Sequence, residues 1–268
     1  SKSTYTIGDN LSNIETQATK SGENIVLNAN NIVLEDSTIL SNAFGDINAI
    51  IARAENVAPI TANIKGTFSK LTELNISEAR GDSFSIEVDD EINLENVNTL
   101  NNLTSSTVTL NSLNDTFENI QSVKNLAPLN SSENGINISS AEINVSDTID
   151  NQKATLLNSF TTNKVILNDI NDSFQNILEI ERQKFTDDSN DGFDLSNSTI
   201  TITDSINLDN VNTINPFTQA TIKIELFADT LDNTELLRDI SLDLVNITLF
   251  FNAISLSICE NNSSYHCN

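Results

Sequence analysis

Glycine and proline, the residues that most often form turns, are scarce in this sequence: 7 Gly and 3 Pro occur among 268 residues. Asn, Asp, Ser and Thr must therefore form the turns, through hydrogen bonds from their side chains to nearby backbone groups. Tryptophan is absent and aromatic residues make up 5% of the chain, so the sequence offers little for stacking against sugar rings.

Residue types that carry catalysis are also rare. The single histidine, His266, lies beside Cys267 near the C-terminus, a setting that supplies few oriented neighbours. The sequence contains no Gly-rich phosphate loop, no Cys-x-x-Cys motif and no nucleophile elbow, which are the short motifs that most often mark cofactor and catalytic sites. We therefore predict that the protein is not an enzyme.

Basic residues are few, with 13 Lys and Arg against 38 Asp and Glu, and the net charge is -25. Such a field repels nucleic acids and anionic membrane surfaces and attracts cations, which makes a bound divalent metal plausible, with calcium as the candidate cofactor. Solubility is the alternative reason for the acidity, and we favour it as the main one. The longest apolar stretch, residues 244–258, is interrupted by polar side chains, so we expect no membrane insertion.

Two cysteines, Cys259 and Cys267, occur in the last ten residues. Their spacing favours a disulfide that closes a C-terminal loop over residues 259–268, which would place the protein in an oxidising, extracellular or cell-surface environment. A pair of free thiols is the alternative.

The sequence repeats itself with a period of 57 residues. The segment Asp115-Thr-Phe-Glu-Asn-Ile120 returns as Asp172-Ser-Phe-Gln-Asn-Ile177 and as Asp229-Thr-Leu-Asp-Asn-Thr234. Asp90, Asp147 and Asp204 form a second series with the same period. The two series alternate, so each 57-residue unit contains two rungs.

The pattern has nine fixed positions, which we call anchors, and each of them has an apolar residue two places before it. Asp9, Asp36 and Gly66 continue it more loosely toward the N-terminus. The apolar partners are Ile7, Leu34, Ile64, Val88, Leu113, Val145, Ile170, Ile202 and Phe227.

The period of the apolar residues changes at each anchor. Before it the residues alternate, as in Ile143-Asn-Val145, which predicts a strand that ends just before the anchor. In the Asp115 series an earlier apolar pair, such as Val108 and Leu110, predicts a bulge or a bend before the anchor. After the anchor apolar residues follow helical spacing, as in Phe174, Ile177 and Leu178.

These units predict an α/β repeat solenoid of about nine strand-plus-short-helix rungs with a parallel sheet, because no unit can bury its apolar face alone. A parallel β-helix is the alternative. We expect one solenoid over residues 1–258, with looser repeats over 1–82 and regular double rungs over 83–248, followed by the cysteine loop.

The motif Asp-Thr/Ser-x-x-Asn-Ile after an apolar strand resembles the tandem repeats of large bacterial cell-surface and secreted, adhesin-like proteins. The matching segments are residues 115–120, 172–177 and 229–234 and, less closely, 9–14 and 147–151. The resemblance implies a surface or matrix role and carries over no catalytic residues.

The anchor aspartates are predicted to cap their own helices, since a carboxylate accepts hydrogen bonds from free amides at a helix N-terminus. A row of stacked carboxylates that binds cations is the alternative. The predicted caps are Asp9, Asp36, Asp90, Asp115, Asp147, Asp172, Asp204 and Asp229.

A calcium loop is the best local candidate for a metal site. Its predicted ligands are Asp187, Asp188, Ser189, Asp191 and Asp194, and Gly192 follows Asp191 as it does in an EF-hand loop. The glutamate of position 12 is missing, because Ser198 occupies that place. A polar turn between two rungs is the alternative.

These patterns predict an extracellular structural or adhesive protein that works as a subunit of a filament, fibre or surface layer. We expect head-to-tail self-association through an apolar C-terminal surface of Leu249, Phe250, Phe251, Ile254 and Leu256. The alternative is a monomeric solenoid that binds a ligand or glycan with the help of calcium.

Overall fold

Short parallel strands, each followed by a short helix, recur along the chain in a computed structural model. The structure describes residues 5–20, 26, 28–53, 58–76, 81–126, 135–185, 191–228 and 247–249. The chain divides into two units. The first comprises Ser1–Asp147, Thr155–Ile166 and Phe185–Phe193, and the second comprises Thr148–Ala154, Leu167–Lys184 and Asp194–Asn268.

Eight helices alternate with thirteen strands in the described ranges. The strands are β1 (Thr6–Asp9), β2 (Asn31–Leu34), β3 (Ile39–Leu40), β4 (Ile60–Gly66), β5 (Ser83–Ile92), β6 (Val108–Asp115), β7 (Ile136–Asn137), β8 (Glu142–Ile149), β9 (Lys164–Asp172), β10 (Gly192–Asp194), β11 (Thr199–Ile206), β12 (Ile222–Phe227) and β13 (Ile247–Leu249). The helices are α1 (Leu11–Thr19), α2 (Phe44–Arg53), α3 (Phe68–Leu71), α4 (Leu94–Asn101), α5 (Phe117–Asn125), α6 (Asn151–Asn158), α7 (Phe174–Glu181) and α8 (Leu208–Ile214). Two 3-10 turns, Ser41–Ala43 and Asn215–Phe217, lie before α2 and after α8.

The first unit contains a parallel sheet in the order β1-β2-β4-β5-β6-β8, with β3 beside β4 and β7 beside β6. The register places like residues side by side, because Ile64 pairs with Ile86 and Ile86 pairs with Val108. All three side chains are buried. Neighbouring rungs therefore share one continuous apolar row.

The second unit repeats this arrangement with the order β9-β11-β12-β13, again all parallel. Ile170, Ile200 and Ile222 lie in one row, and the backbone of Ile247 continues it in β13. The prediction of an α/β repeat solenoid with a parallel sheet is confirmed within each unit.

The helices bury one face against the sheet. In α5 the buried residues are Phe117, Ile120 and Val123, at intervals of three residues. Burying one such side chain is worth about 1.5–3 kcal/mol, so these contacts stabilise a helix that is too short to persist alone in water.

The ends of the strands differ between the two series. Strands β6 and β9 end at Asp115 and Asp172. Strands β5, β8 and β11 instead continue two residues beyond Asp90, Asp147 and Asp204, which corrects the predicted strand ends in that series. The continuation has a packing reason, because it carries the buried residues Ile92, Ile149 and Ile206.

The bulge also lies in a different series from the one predicted. The register of β5 against β6 shifts between Val88 and Glu91, and that of β11 against β12 shifts between Ile202 and Ser205. The extra residue therefore belongs to the strands of Asp90 and Asp204, not to those of the Asp115 series. A bulge re-aims the residues that follow it, which lets the strand bury a further apolar side chain.

Candidate functional site

The anchor aspartates form the most regular polar feature of the described chain. Six of them accept a hydrogen bond from the first backbone amide of a helix, at 2.6–2.9 Å. The donor and acceptor pairs are Leu11 N with Asp36, Phe68 N with Asp90, Leu94 N with Asp115, Phe117 N with Asp147, Asn151 N with Asp172, and Phe174 N with Asp204.

In each pair the helix belongs to the preceding rung, which corrects the prediction that each aspartate caps its own helix. The reason is geometric. Parallel strands of neighbouring rungs lie about 4.8 Å apart, so the end of one strand stands beside the start of the neighbouring helix. Each of these carboxylates therefore joins two rungs. Asp229 lies outside the described residues.

Other residues cap six of the eight described helices from within their own rung. Asn10, Thr116 and Ser173 directly follow their anchors and accept a bond from the amide three residues later. In the other series the capping residue lies three residues after the anchor and likewise accepts a bond from the amide three residues further along. These residues are Asn93, Asp150 and Asn207. Thr67, before α3, makes no side-chain cap bond.

Asp115 and Asp172 use both carboxylate oxygens. The Oδ2 atom of Asp115 accepts from Leu94 N at 2.9 Å, while its Oδ1 atom accepts from Thr116 N at 2.8 Å and from Asn119 Nδ2 at 2.7 Å. Asp172 repeats the pattern with Ser173 and Asn176. This explains the Asn of the repeat motif, to which sequence reasoning assigned no role.

Gly66 is the exception among the anchors, since it has no side chain to cap α2. A Cβ atom at this position would lie 3.1 Å from Cβ of Ser41 and 3.4 Å from the ring of Phe44. The Phe44 ring is buried close to the space an aspartate would need. Correspondingly, the 3-10 turn that precedes α2 has no side-chain cap bond.

A row of buried threonines, which we call the threonine ladder, also links neighbouring rungs, and sequence reasoning missed it. Thr104, Thr161 and Thr218 are 5–8% exposed. Their hydroxyls donate to the carbonyls of Phe84, Ala141 and Ser198, each 20 residues earlier, at 2.6–2.8 Å. They also accept from the amides of Ser106, Asn163 and Ala220. The 57-residue spacing of the three threonines was the available signal.

Charged residues meet on the sheet face away from the helices. Lys65 Nζ lies 2.6 Å from Glu87 Oε1 and 3.1 Å from Asp89 Oδ1, across two neighbouring strands. Asn111 Nδ2 on the third strand donates to the same oxygen of Glu87 at 3.1 Å. The hydrogen bonds from Lys65 and Asn111 lower the pKa of Glu87, and those to Glu87 and Asp89 raise the pKa of Lys65.

An open groove of about 500 Å³ lies along α4. Its lining residues include Asn93, Glu95, Asn98, Asn102 and Asn119. Amide side chains both donate and accept hydrogen bonds, so the groove offers polar contacts to a ligand that carries hydroxyl or amide groups.

The predicted calcium loop is only partly described. Asp194 Oδ1 accepts from Ser196 N at 3.0 Å and from Ser196 Oγ at 2.7 Å, as in a polar turn. Asp191 is described, whereas Asp187, Asp188 and Ser189 lie outside the described residues. Where the chain is described, no three His, Cys, Asp or Glu residues are placed to hold a metal ion.

The remaining predicted residues lie near the C-terminus. Leu249 ends β13, whose backbone pairs with β12. Phe250, Phe251, Ile254, Leu256, Cys259 and Cys267 lie outside the described residues. No helix within the described ranges is long and apolar enough to cross a membrane. A comparison with protein-family models, curated proteins and solved structures found no match.

Proposed function

We propose that the protein is a non-enzymatic structural or adhesive repeat protein of the cell exterior, and that it works as a subunit of a filament, fibre or surface layer. The row of contacts between anchor aspartates and helices of the preceding rung is the observation that carries the proposal. Six aspartates at the repeated positions bind backbone amides of a neighbouring rung. The residues that recur thus serve rung stacking, which is what an elongating structural array needs.

The chemistry of these side chains supports a role without catalysis. A catalytic carboxylate needs a free oxygen that faces a substrate. Asp115 and Asp172 instead engage both oxygens with backbone amides and an asparagine amide. The net charge of -25 disfavours nucleic acid as a partner.

Sedimentation velocity of the purified full chain, from 1 to 100 μM in 0.15 M NaCl, tests the proposal, with electron microscopy of the same samples. We expect species larger than the 29.3 kDa monomer whose share grows with concentration. A uniform 29.3 kDa species over the whole range would contradict the subunit role. The extracellular part of the proposal is tested by alkylation of Cys259 and Cys267 in protein isolated from its native source, since a disulfide blocks both thiols.

The groove along α4 favours a second candidate, a monomeric solenoid that binds a glycan with the help of calcium. Titration calorimetry with neutral oligosaccharides, in calcium and in a chelator, tests it. Binding that weakens in Asn98→Ala and needs calcium would support this function. Equal unfolding midpoints in calcium and chelator would contradict the calcium site of residues 187–194.

A further inference from the structure

The exposed side chains of α4 recur on α8, two repeat periods later. The segment Asn93-Leu-Glu-Asn-Val-Asn-Thr-Leu100 returns as Asn207-Leu-Asp-Asn-Val-Asn-Thr-Ile214. Four exposed positions keep their chemistry, namely two carboxamides, one carboxylate and one hydroxyl. The matching pairs are Asn93 and Asn207, Glu95 and Asp209, Asn98 and Asn212, and Thr99 and Thr213.

The same two rungs are not alike on their sheet faces. Strands β5 and β11 lead into these helices, and their exposed and half-exposed side chains differ, with three acidic residues of β5 replaced by hydroxyl residues in β11. The pairs are Ser85 and Thr199, Glu87 and Thr201, Asp89 and Thr203, and Glu91 and Ser205. The likeness of the exposed side chains is therefore confined to the helices and is not a general likeness of the two rungs.

Helix α6 holds the same place in the rung between them and lacks this surface. Its residues at the four positions are Asp150, Gln152, Thr155 and Leu156, and Leu156 is 39% exposed. Helix α6 nevertheless has eight residues, as α4 has. The fold thus accepts other exposed side chains here, so helix formation does not explain the match between α4 and α8.

Contacts within the fold account for only part of the α4 surface. Asn93 caps the helix, and Thr99 Oγ1 donates to the carbonyl of Glu95 at 3.0 Å. Within the part of the chain that the structure describes, the side chains of Glu95 and Asn98 make no hydrogen bond or ion pair, and neither do their counterparts on α8. Glu95 and Asn98 lie three residues apart and so share one face of the helix. Both line the groove along α4.

We propose that α4 and α8 carry two copies of one binding site for a glycan without acidic groups. Glu95 and Asn98 are the contacts on α4, and Asp209 and Asn212 are those on α8. Each sugar hydroxyl both donates and accepts hydrogen bonds, so neighbouring hydroxyls can donate to the carboxylate and accept from the carboxamide. The inference rests on the adhesive role in the proposed function and names its ligand class. It requires neither calcium nor a monomeric chain.

The chemistry of the surface favours such a glycan over other ligands. A carboxylate on a chain of net charge -25 disfavours phosphate, sulfate and nucleic acid. A peptide is recognised through pockets for its alternate side chains, whereas all four matched positions are polar. Among the described residues that line the α4 groove none is aromatic, so each site holds its sugar by hydrogen bonds and binds weakly alone. Two sites give one chain two points of attachment to a repetitive polysaccharide.

Calorimetric titration of the full chain in a chelator tests the inference, with cellotetraose, mannotetraose and chitotetraose as the probes. We expect two equal sites per chain for at least one of these sugars and no binding of a heparin tetrasaccharide. Asn98→Ala and Asn212→Ala should each leave one unaltered site, and the double variant should raise the Kd about tenfold or more. Gln152→Ala is the matched control, since this exposed residue of α6 stands in the place of Glu95, and it should bind as the natural chain does.

Circular dichroism verifies that the variants fold, which we expect because alanine favours helices. The inference is overturned if no tetrasaccharide binds, if binding requires added calcium, or if only a lysine-rich peptide binds. Unchanged affinity of the double variant, or an equal loss in Gln152→Ala, overturns it as well. The subunit role is judged separately by sedimentation. A monomeric chain that binds two tetrasaccharides contradicts that role alone, and a chain that associates but binds no sugar contradicts only the inference.

Discussion

Aspartate suits the anchor position because its carboxylate is short and has two acceptor oxygens. One oxygen can reach an amide of the preceding rung while the other accepts bonds within its own rung, as Asp172 does. Asparagine would offer only one acceptor, and glutamate would place its oxygens one methylene further from the strand.

Replacement of Asp172 by Ala should lower the free energy of unfolding by about 0.5–2 kcal/mol, the usual cost of losing a helix cap. The loss should lie in the upper part of that interval, because the variant frees amides in two rungs. Urea unfolding measures it. Gln175→Ala, an exposed residue in the first turn of α7, is the control and should change stability by less than about 0.5 kcal/mol. Equal effects of the two substitutions would contradict a stabilising role for the Asp172 contacts.

The threonine ladder predicts a larger loss in the free energy of unfolding than the Asp172→Ala replacement, although the chemical change is smaller. Thr161→Val retains the shape of the side chain but leaves the Ala141 carbonyl and the Asn163 amide without their partner. Of these two groups the Ala141 carbonyl is buried and the Asn163 amide is partly buried, and leaving a buried group unpaired costs about 1–3 kcal/mol. Urea unfolding should show a loss in that range, and Thr109→Val, a half-exposed strand position, should show little change. A stable Thr161→Val protein would mean that water replaces the hydroxyl.

At the scale of single elements, short helices depend on their neighbours. Helices α5 and α7 have nine and eight residues, and isolated helices below about 12–15 residues are marginal in water. Each has a cap from its own rung, a cap from the next rung and a buried apolar face. The stability of each helix therefore depends on contacts with its neighbours in the stack.

Strands β4, β5 and β6 are linked by Lys65, Glu87 and Asn111, so this contact should depend on pH. Because the pKa of Glu87 is lowered, the contact stabilises the fold at pH values above the ordinary pKa of glutamate. This contribution is lost as the pH falls through the lowered pKa. The raised pKa of Lys65 stabilises the fold below the ordinary lysine value and is lost as the pH rises through the raised pKa.

Lys65→Met should therefore be least stable, relative to the natural chain, between about pH 5 and pH 10. The difference should shrink toward both ends of the pH scale and at high salt, since the pair is partly exposed. Thermal unfolding as a function of pH measures it. Glu87→Gln should give a similar profile, and the double variant should lose little more than either single variant. A difference that is constant with pH would contradict the ion pair.

At the scale of the whole molecule, the 57-residue period implies that double rungs are interchangeable. Residues 112–115 pair with residues 142–145 as residues 169–172 pair with residues 199–202. After deletion of residues 116–172, Asp115 precedes Ser173 and keeps an Asp-Ser-Phe sequence. Strand β6 could then take β11 as its neighbour in the same register.

We expect this shortened chain to fold, with an unchanged circular dichroism spectrum per residue and a lower unfolding midpoint, because fewer rung interfaces remain. Deletion of residues 116–155 is the control, since it breaks the period, and we expect it to lose cooperative unfolding. If both deletions behave alike, the double rung is not the structural unit.

The local sequence was sufficient to predict much of this protein. Alternation before Asp115 and Asp172 and helical spacing after them predicted the strands and helices, since both patterns depend on residues close in the chain. The recurrence every 57 residues predicted stacking, because identical units can bury their apolar faces only against one another. Six of the anchor aspartates do accept helix amides, although from the preceding rung and not from their own.

Only the tertiary structure decided which amides these acceptors bind. Asp147 accepts from the amide of Phe117, 30 residues earlier. In the same way, Thr161 donates to the carbonyl of Ala141, 20 residues earlier. The bulge beyond Val88 likewise depends on how β5 lies against β6. Such contacts depend on the register between parallel rungs, which is fixed by packing across the stack. Sequence periodicity specifies that two rungs are alike, whereas the three-dimensional register determines which atom of one rung faces which atom of the next.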